Sequence, residues 1–308
     1  MSESQPSHPT DRSRIETERR DSTLAGLDRM SVGELFETIN RADATVAQAV
    51  ALAKPSIVGF IEDASARFSS GGRLVYLGAG TSGRLGVLDA SECPPTFQVD
   101  PGRVVGLIAG ADPALRQSSE SKEDDPTGAV PELDALDLNE QDTVLGIAAG
   151  GTTPWVRGGL THASSRAGCI GFLTCTPVET PPGVGHHLIV RTGPEVLTGS
   201  TRMKAGTATK MVLNLISTAL MVRSGRVYEN LMVDLRATND KLRDRARRIV
   251  SEVTGVSRDR AAELLAAADG VAKVAILMEA GGVGPEEARS LLASSNGRLR
   301  DAITKANR

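Results

Sequence analysis

The residues of this 308-residue chain best suited to chemistry lie where an apolar run, Leu74–Leu77, breaks into glycines and hydroxyls. A helix-like segment follows. Glycines let a backbone approach a ligand closely, and the N–H groups and dipole at a helix N-terminus favour a phosphate. This first turn (residues 78–84) therefore predicts a phosphate site, and a plain strand–turn–helix corner is the structural alternative. Its candidate phosphate-binding residues are Gly80, Thr81, Ser82, Gly83 and Arg84.

The same glycines also satisfy the dinucleotide spacing G-x-G-x-x-G, which alone is a weak signal. Thr81 and Ser82 place two hydroxyl donors inside the turn, which suits a terminal phosphate better than a pyrophosphate. The ribose-binding carboxylate expected about 20 residues later is missing, since that region leads into the next apolar run. The turn therefore favours a phosphate monoester over a dinucleotide.

Two more turns of similar composition follow later apolar runs. The second turn (residues 149–154) comes after a strand-like run and offers Gly151, Thr152 and Thr153 as binding candidates. The third turn (residues 195–206) precedes a long helix predicted from Thr207 to about Arg223.

In the third turn, Ser200 or Thr201 can cap the long helix. Capping does not explain two cations, Arg202 and Lys204, near a helix start, where the dipole disfavours positive charge. An anionic ligand would resolve this conflict. The candidates here are Glu195, Ser200, Thr201 and Lys204.

Five short apolar runs, mostly without alternation, predict strands buried on both faces of a parallel sheet. The carboxyl ends of such strands share one edge, so the turns should line one crevice. The fold class is therefore α/β, a five-stranded parallel sheet flanked by helices, with a small C-terminal helical module. The predicted strands are Leu74–Leu77, Val104–Ala109, Thr143–Ala148, Cys169–Thr174 and Leu188–Val190.

Composition divides the chain into four parts. We expect a disordered tail over residues 1–20, N-terminal helices over 21–63, a parallel-sheet domain over 64–232 and a helical module over 233–308. Within the module, helices are predicted at Asp240–Val253, Ser257–Ala268, Val271–Glu279 and Pro285–Ala293. The three short segments resemble a module of the ubiquitin-associated type.

Bulk properties indicate a cytoplasmic protein without nucleic-acid or membrane partners. The net charge is −3, and the sequence shows neither a bilayer-length apolar run nor a signal peptide. The three cysteines lack metal-ligand or disulfide-framework spacing, which indicates reduced core thiols. They are Cys93, Cys169 and Cys175.

Long motifs in the first and third turns carry a resemblance to a known family. Residues 78–86 (GAGTSGRLG), 89–96 (DASECPPT) and 199–207 (GSTRMKAGT) resemble the N-acetylmuramic acid 6-phosphate etherases, as do 230–234 (NLMVD) and 237–242 (ATNDKL). The resemblance implies a sugar isomerase (SIS) domain and no metal or nucleotide cofactor. It also implies cleavage of the lactyl ether of N-acetylmuramic acid 6-phosphate to N-acetylglucosamine 6-phosphate and D-lactate.

By this resemblance, the catalytic acid–base pair is Glu92 and Glu123. Glu92 stands among small and apolar residues, a setting that favours a protonated carboxyl, so we assign it to the departing lactate oxygen. Glu123 lies in a charge run typical of a solvated helix face. Only the resemblance assigns it, as the base at C2 or as its partner in ring opening.

The chain departs from the family pattern in two motifs. Ser-Gly-Arg-Thr-Pro is common in the second turn, whereas this chain has Gly150-Gly-Thr-Thr-Pro154, and the early Thr-Glu-x-x-Asn signature reads Thr17-Glu-Arg-Arg-Asp21. His186 and His187 have no third metal ligand nearby by pattern.

A non-catalytic sugar-phosphate-binding regulator and an aldose–ketose isomerase on the same fold remain open as alternatives. A homodimer is expected, because the N-terminal helices and the 207–223 helix present apolar faces that one sheet does not cover.

Overall fold

The computed structural model describes residues 15–118, 120–234 and 240–308, and contains a five-stranded parallel sheet. The strand order is β2-β1-β3-β4-β5, with every neighbouring pair parallel. The strands are β1 Leu74–Gly78, β2 Val104–Ile108, β3 Thr143–Ile147, β4 Cys169–Thr174 and β5 His186–Ile189.

The five predicted strands are therefore confirmed to within two residues. β1, β3 and β4 are buried at every position, which explains why their sequences do not alternate. The order changes direction between β1 and β3, so β1 and β3 end beside each other at the carboxyl edge.

Among the described residues, eight α-helices surround or precede the sheet. They are α1 Val32–Asp43, α2 Val46–Leu52, α3 Lys54–Ser69, α4 Gly80–Phe97, α5 Glu120–Glu123, α6 Val130–Ala135, α7 Pro154–Ala163 and α8 Lys204–Arg223.

Helix α4 lies unusually close to the sheet because glycines face one another across the contact. A Cβ placed on Gly83 would lie 2.6 Å from Cγ1 of Ile108, and one on Gly106 would lie 2.6 Å from Cα of Val87. Side chains at either position would push the helix away, so these glycines fix where α4 starts and how it runs.

The N-terminal part differs from expectation in two ways. Residues 1–14 of the predicted tail lie outside the described residues, but residues 16–18 form a short 3₁₀ helix in which Thr17 is fully buried. The backbone N–H of Glu16 donates to Oγ1 of Thr176, and Glu16 pairs with Arg191. Ordered structure therefore begins within the predicted tail.

Helix α3 also runs through the boundary predicted at residue 63. Its Ile57 and Phe60 share one core with the strand residues Tyr76 and Leu173. The N-terminal helices and the sheet thus form one packed unit rather than separate parts.

Helix α8 is long and apolar enough to cross a bilayer by length and composition. More than half of its apolar window is buried inside the protein, where it contacts α2, α3 and α4. This degree of burial is typical of a helix in the core of a folded domain.

The C-terminal unit is helical, as predicted, and follows a short hairpin, β6 Val227–Tyr228 and β7 Leu231–Met232. Buried Lys273 connects the unit to the end of α8, donating to the carbonyls of Gly225 and Gly297 and pairing with Asp234. The sequence prediction omitted the hairpin and the last helix. The helices are α9 Asp240–Thr254, α10 Arg258–Ala267, α11 Ala272–Gly281, α12 Pro285–Ser294 and α13 Leu299–Ala306.

A buried carboxylate holds the amino edge of the sheet. The Asp142 side chain is fully buried, and it accepts bonds from the backbone N–H of Arg73 at 2.9 Å, from Arg73 Nε at 3.0 Å and from the N–H of Asn139 at 3.0 Å. Burial alone would raise the pKa of Asp142, but Arg73 and these N–H groups outweigh it and hold that pKa below its usual value.

Replacing Asp142 with Asn should lower the free energy of unfolding by about 3 kcal/mol, because the buried Arg73 pair is broken. Since the folded-state pKa lies below the unfolded one, the stabilisation by Asp142 is present above about pH 4 and is lost as the pH falls through the folded pKa. Urea unfolding of both proteins at pH 7 and at low pH should show the difference shrinking with acidification. A difference independent of pH would contradict this role.

Candidate active site

The first turn is built from glycines that leave no room for side chains. A Cβ on Gly78 would lie 2.5 Å from the backbone N of Gly83, so strand β1 and helix α4 nearly touch. Gly80 has φ +50°, in the left-handed region that favours glycine. This compactness leaves the hydroxyls of Thr81 and Ser82 half-buried at the carboxyl edge.

Glu123 lies directly beside this turn. A Cβ placed on Gly80 would be 3.2 Å from Oε1 of Glu123. Its neighbours Lys122 and Asp124 are exposed, while Glu123 is half-buried. Glu123 is thus the carboxyl of this segment that reaches the turn, while its two neighbours face solvent.

Arg84, the last residue of the first turn, bonds a neighbouring loop. Its Nε donates to the carbonyl of Leu115 at 3.3 Å and its guanidinium to that of Gln117 at 3.3 Å. Arg84 instead holds the loop that leads to α5 and Glu123.

In the third turn, Glu195 and Lys204 serve the fold. The Glu195 carboxylate, 1% exposed, accepts from the backbone N–H groups of Lys204 at 3.0 Å and Ala205 at 2.9 Å. Lys204 Nζ donates to the carbonyl of Thr192 at 2.7 Å. The anion predicted at this helix start is therefore supplied by Glu195 of the chain itself.

Neither Ser200 nor Thr201 caps α8, which begins after Met203 without a side-chain cap. Among the described residues, no protein atom bonds the hydroxyls of Ser82, Ser200 or Thr201. The first and third turns approach each other, because a Cβ on Gly206 would lie 3.5 Å from Cγ2 of Thr81. The two turns together present half-buried hydroxyl donors that are available to a ligand.

The second turn and the N-terminal segment complete this edge. Gly151 has φ +71°, and Thr152 and Thr153 are half-buried without a capping bond to α7. A Cβ on Gly150 would lie 3.8 Å from Oγ1 of Thr17, a buried hydroxyl without a partner among the described residues.

Glu18 belongs to the same edge, although the sequence did not single it out as a site residue. Its Oε2 lies 3.0 Å from a Cβ placed on Gly199 in the third turn. Only the early Thr-Glu motif signalled that this segment mattered.

Glu92 lies far from the first turn and from Glu123 within the same chain. It is twelve positions after Gly80 on α4, which corresponds to about 18 Å along the helix axis. Glu92 is exposed, so it does not stand in the apolar setting expected from its sequence neighbours. Within one chain, Glu92 and Glu123 cannot both reach adjacent carbons of one sugar.

Glu92 opens onto a cavity of about 240 Å³ between α4 and α8. Asp89, one helical turn earlier, lines the same cavity and accepts from Tyr76 Oη at 2.8 Å and from Ser217 Oγ at 3.1 Å. Burial raises the pKa of Asp89 despite these bonds and the nearby Lys210. No local sequence pattern predicts this cavity, because α8, far from α4 in sequence, contributes three of its seven lining residues.

A group of possible metal ligands lies at the amino edge, away from the three turns. Ligand atoms of Asp63, Cys169 and His186 lie within 4.8 Å of one another. Asp63 already pairs with Arg67 at 3.0 Å and accepts from His186 at 3.2 Å. These contacts satisfy Asp63 without an ion, and all three cysteines of the chain are free and buried.

Two family models match the chain. One describes the glucokinase regulatory protein N-terminal SIS domain and matches residues 56–164. The other describes the C-terminal lid domain of glucokinase regulatory protein and matches residues 229–269. They confirm an SIS-type sheet domain followed by a helical C-terminal region.

Curated relatives match almost the full length of the chain, and each is named N-acetylmuramic acid 6-phosphate etherase. The relative from Mycolicibacterium smegmatis is 50% identical over 95% of this chain and 99% of its own length. The Streptomyces coelicolor relative is 48% identical over 98% and 99%, and the Rubrobacter xylanophilus relative 49% over 95% and 97%. The chain therefore belongs to the N-acetylmuramic acid 6-phosphate etherase family.

Proposed function

We propose that this protein is a lyase that cleaves the D-lactyl ether of N-acetylmuramic acid 6-phosphate. The products are N-acetylglucosamine 6-phosphate and D-lactate. The observation that carries the proposal is the Glu123 carboxyl beside Gly80, at a turn whose hydroxyls have no protein partner among the described residues. The 50% sequence identity to an etherase over 95% of this chain supports the same assignment.

The reaction needs a base that acts at C2 of the sugar and an acid that acts at the ether oxygen on C3. In the open sugar, the C1 aldehyde acidifies the hydrogen on C2, and a base removes it. The C3–O bond then breaks, and an acid protonates the departing lactate oxygen. Water adds its hydroxyl to C3 and returns a proton to C2, with the two groups exchanging roles.

The first and third turns bind the phosphate in this proposal. Ser82, Ser200 and Thr201 donate their hydroxyls, and the N-terminus of α4 adds backbone N–H groups. Glu123, next to Gly80, then stands close enough to a bound phosphosugar to act as the base at C2 or in ring opening.

Glu92 acts in this scheme from a second copy of the chain. The separation of about 18 Å along α4 prevents one chain from supplying both carboxyls to one sugar. A homodimer that places the α4/α8 face of one chain against the turns of the other supplies the missing acid. Coverage by the partner would also exclude water from the surroundings of Glu92.

Exposed apolar side chains lie where such a partner would pack. Leu88 of α4 and Leu215 and Val222 of α8 are 49%, 48% and 47% exposed. Phe36 of α1 is 69% exposed, and α1 buries none of its residues. Large apolar side chains that are exposed on several helices are typical of a subunit interface.

The same proposal places the enzyme in the cytoplasm, where phosphorylated sugars are kept, and gives it no metal, nucleic-acid or membrane partner. The family models named for glucokinase regulatory protein favour one alternative, a regulator that binds the sugar phosphate without cleaving it. Binding of N-acetylmuramic acid 6-phosphate without lactate release would support the regulator.

Replacing Ser82 with Asp should weaken binding of N-acetylglucosamine 6-phosphate about 100-fold or more, because a donor is lost and a like charge meets the phosphate. Ser82→Ala should weaken it less, since only the donor is lost. Isothermal titration calorimetry measures both, and exposed Ser294→Asp on α12 serves as the matched control. Unchanged affinity in Ser82→Asp would show that the phosphate binds elsewhere.

Variants of the two carboxyls should differ in which partial reaction they lose, lactate release or exchange of the C2 hydrogen. Glu92→Gln should reduce D-lactate release by a factor of about 10²–10⁴ yet still exchange the C2 hydrogen in deuterated water, because the base remains. Glu123→Gln should lose both activities. Lactate is measured enzymatically and exchange by proton NMR.

The reverse outcome, exchange lost with Glu92→Gln and kept with Glu123→Gln, would invert the two roles. Full activity in both variants would refute the carboxyl mechanism.

A further inference from the structure

The cavity beside Glu92 contains a cation that the phosphate site does not use. Lys210 of α8 lines this cavity together with Glu92, Asp89 and Asn214, while Leu88 and Leu213 form an apolar part of its wall. Lys210 is exposed and forms no ion pair with any described residue.

The carboxyl of Asp89 could pair with Lys210, but other groups already bind it. Asp89 accepts from Tyr76 Oη and Ser217 Oγ, and its burial disfavours its charged form. Lys210 interacts with Asp89 only as a nearby charge. The ammonium group is therefore available to an anion that enters the cavity.

The substrate brings such an anion to this place. In a lactyl ether, the oxygen that leaves C3 and the carboxylate are attached to the same carbon atom. An acid that protonates the ether oxygen must therefore stand within a few ångströms of the carboxylate. A cation is needed there, because the lactyl carboxylate would otherwise lose hydration next to Glu92 and Asp89 without gaining an opposite charge.

We propose that Lys210 binds the carboxylate of the lactyl group, and that the cavity between α4 and α8 is the lactyl subsite. This inference rests on the proposed etherase function. The methyl group of the lactyl unit packs against Leu88 and Leu213, and the ammonium group of Lys210 pairs with the carboxylate. In the dimer, Lys210 and Glu92 come from the same chain, and the phosphate turns come from its partner.

The subsite explains how the enzyme distinguishes its substrate from its product. Both sugars carry the phosphate and the acetamido group, but only the substrate carries a second anion. Pairing with Lys210 aligns the ether oxygen with Glu92, and the same charge holds D-lactate until it dissociates.

A substrate–variant cycle tests the proposal. Two substrates are compared, N-acetylmuramic acid 6-phosphate and its lactyl carboxamide, which keeps the shape and removes the charge. Wild type should prefer the acid by a factor of about 10–100 in kcat/KM, the range expected for one hydrogen bond to a charged group. Lys210→Met should lose a similar factor on the acid and show no preference between the two, whereas Lys210→Arg should keep part of the preference.

Two controls separate recognition from a structural effect. Lys305→Met, at an exposed lysine of α13 that bonds the carbonyl of Ser294, should behave as wild type. Exchange of the C2 hydrogen of N-acetylglucosamine 6-phosphate, which has no lactyl group, should be unchanged in Lys210→Met. Lys210→Gln gives a second neutral variant if the Met variant folds poorly.

An unchanged preference for the acid in the Lys210 variants would overturn the subsite, and so would loss of exchange on the lactate-free sugar. If wild type releases no lactate from the acid substrate, the etherase proposal itself fails, and the subsite falls with it. Lactate release by wild type together with an unreduced preference in Lys210→Met would leave the etherase and refute only the subsite.

Discussion

The rest of the structure depends on the near-contact between strand β1 and helix α4 at the first turn. Gly78 and Gly83 allow the chain to reverse with almost no space between strand and helix. This contact fixes the start of α4 at the carboxyl edge, beside Glu123, and so exposes N–H groups and hydroxyls there. It also fixes Glu92 three helical turns away. The positions of the proposed phosphate site and of the proposed acid are two consequences of one geometric constraint.

Much of the fold could be predicted because its signals are local. The strands β1, β3 and β4 are buried on both faces, so their continuous apolar sequences reveal them directly. The hairpin around Glu229 was missed because its strands have only two residues each. Helix α13 was missed because it has only eight residues and lies near the end of the chain, although Leu299, Ala302, Ile303 and Ala306 follow a helical period. Helix α3 crosses the boundary predicted at residue 63 and buries Phe60 in the core of the sheet, a contact that only the folded chain reveals.

The site could be predicted only in part, for a related reason. Residue types located the turns, but the sequence does not show what each polar side chain bonds. Arg84 bonds a loop, while Glu195 and Lys204 stabilise the start of α8, although all three looked like ligand-binding residues. Glu18 approaches the third turn, and Lys210 lines the cavity beside Glu92, from segments far apart in sequence, so spacing provided no signal for them.

The central claim is that each active site is shared between two chains, with Glu123 from one and Glu92 from the other. The most direct measurement uses a dimer assembled from one Glu92→Gln chain and one Glu123→Gln chain, isolated with two different affinity tags. In a shared arrangement, one of its two sites contains both carboxyls, so the mixed dimer should release D-lactate at about half the wild-type rate. Each parent variant alone should remain inactive. A mixed dimer as inactive as its parents would contradict the shared site and place both carboxyls of each site in one chain.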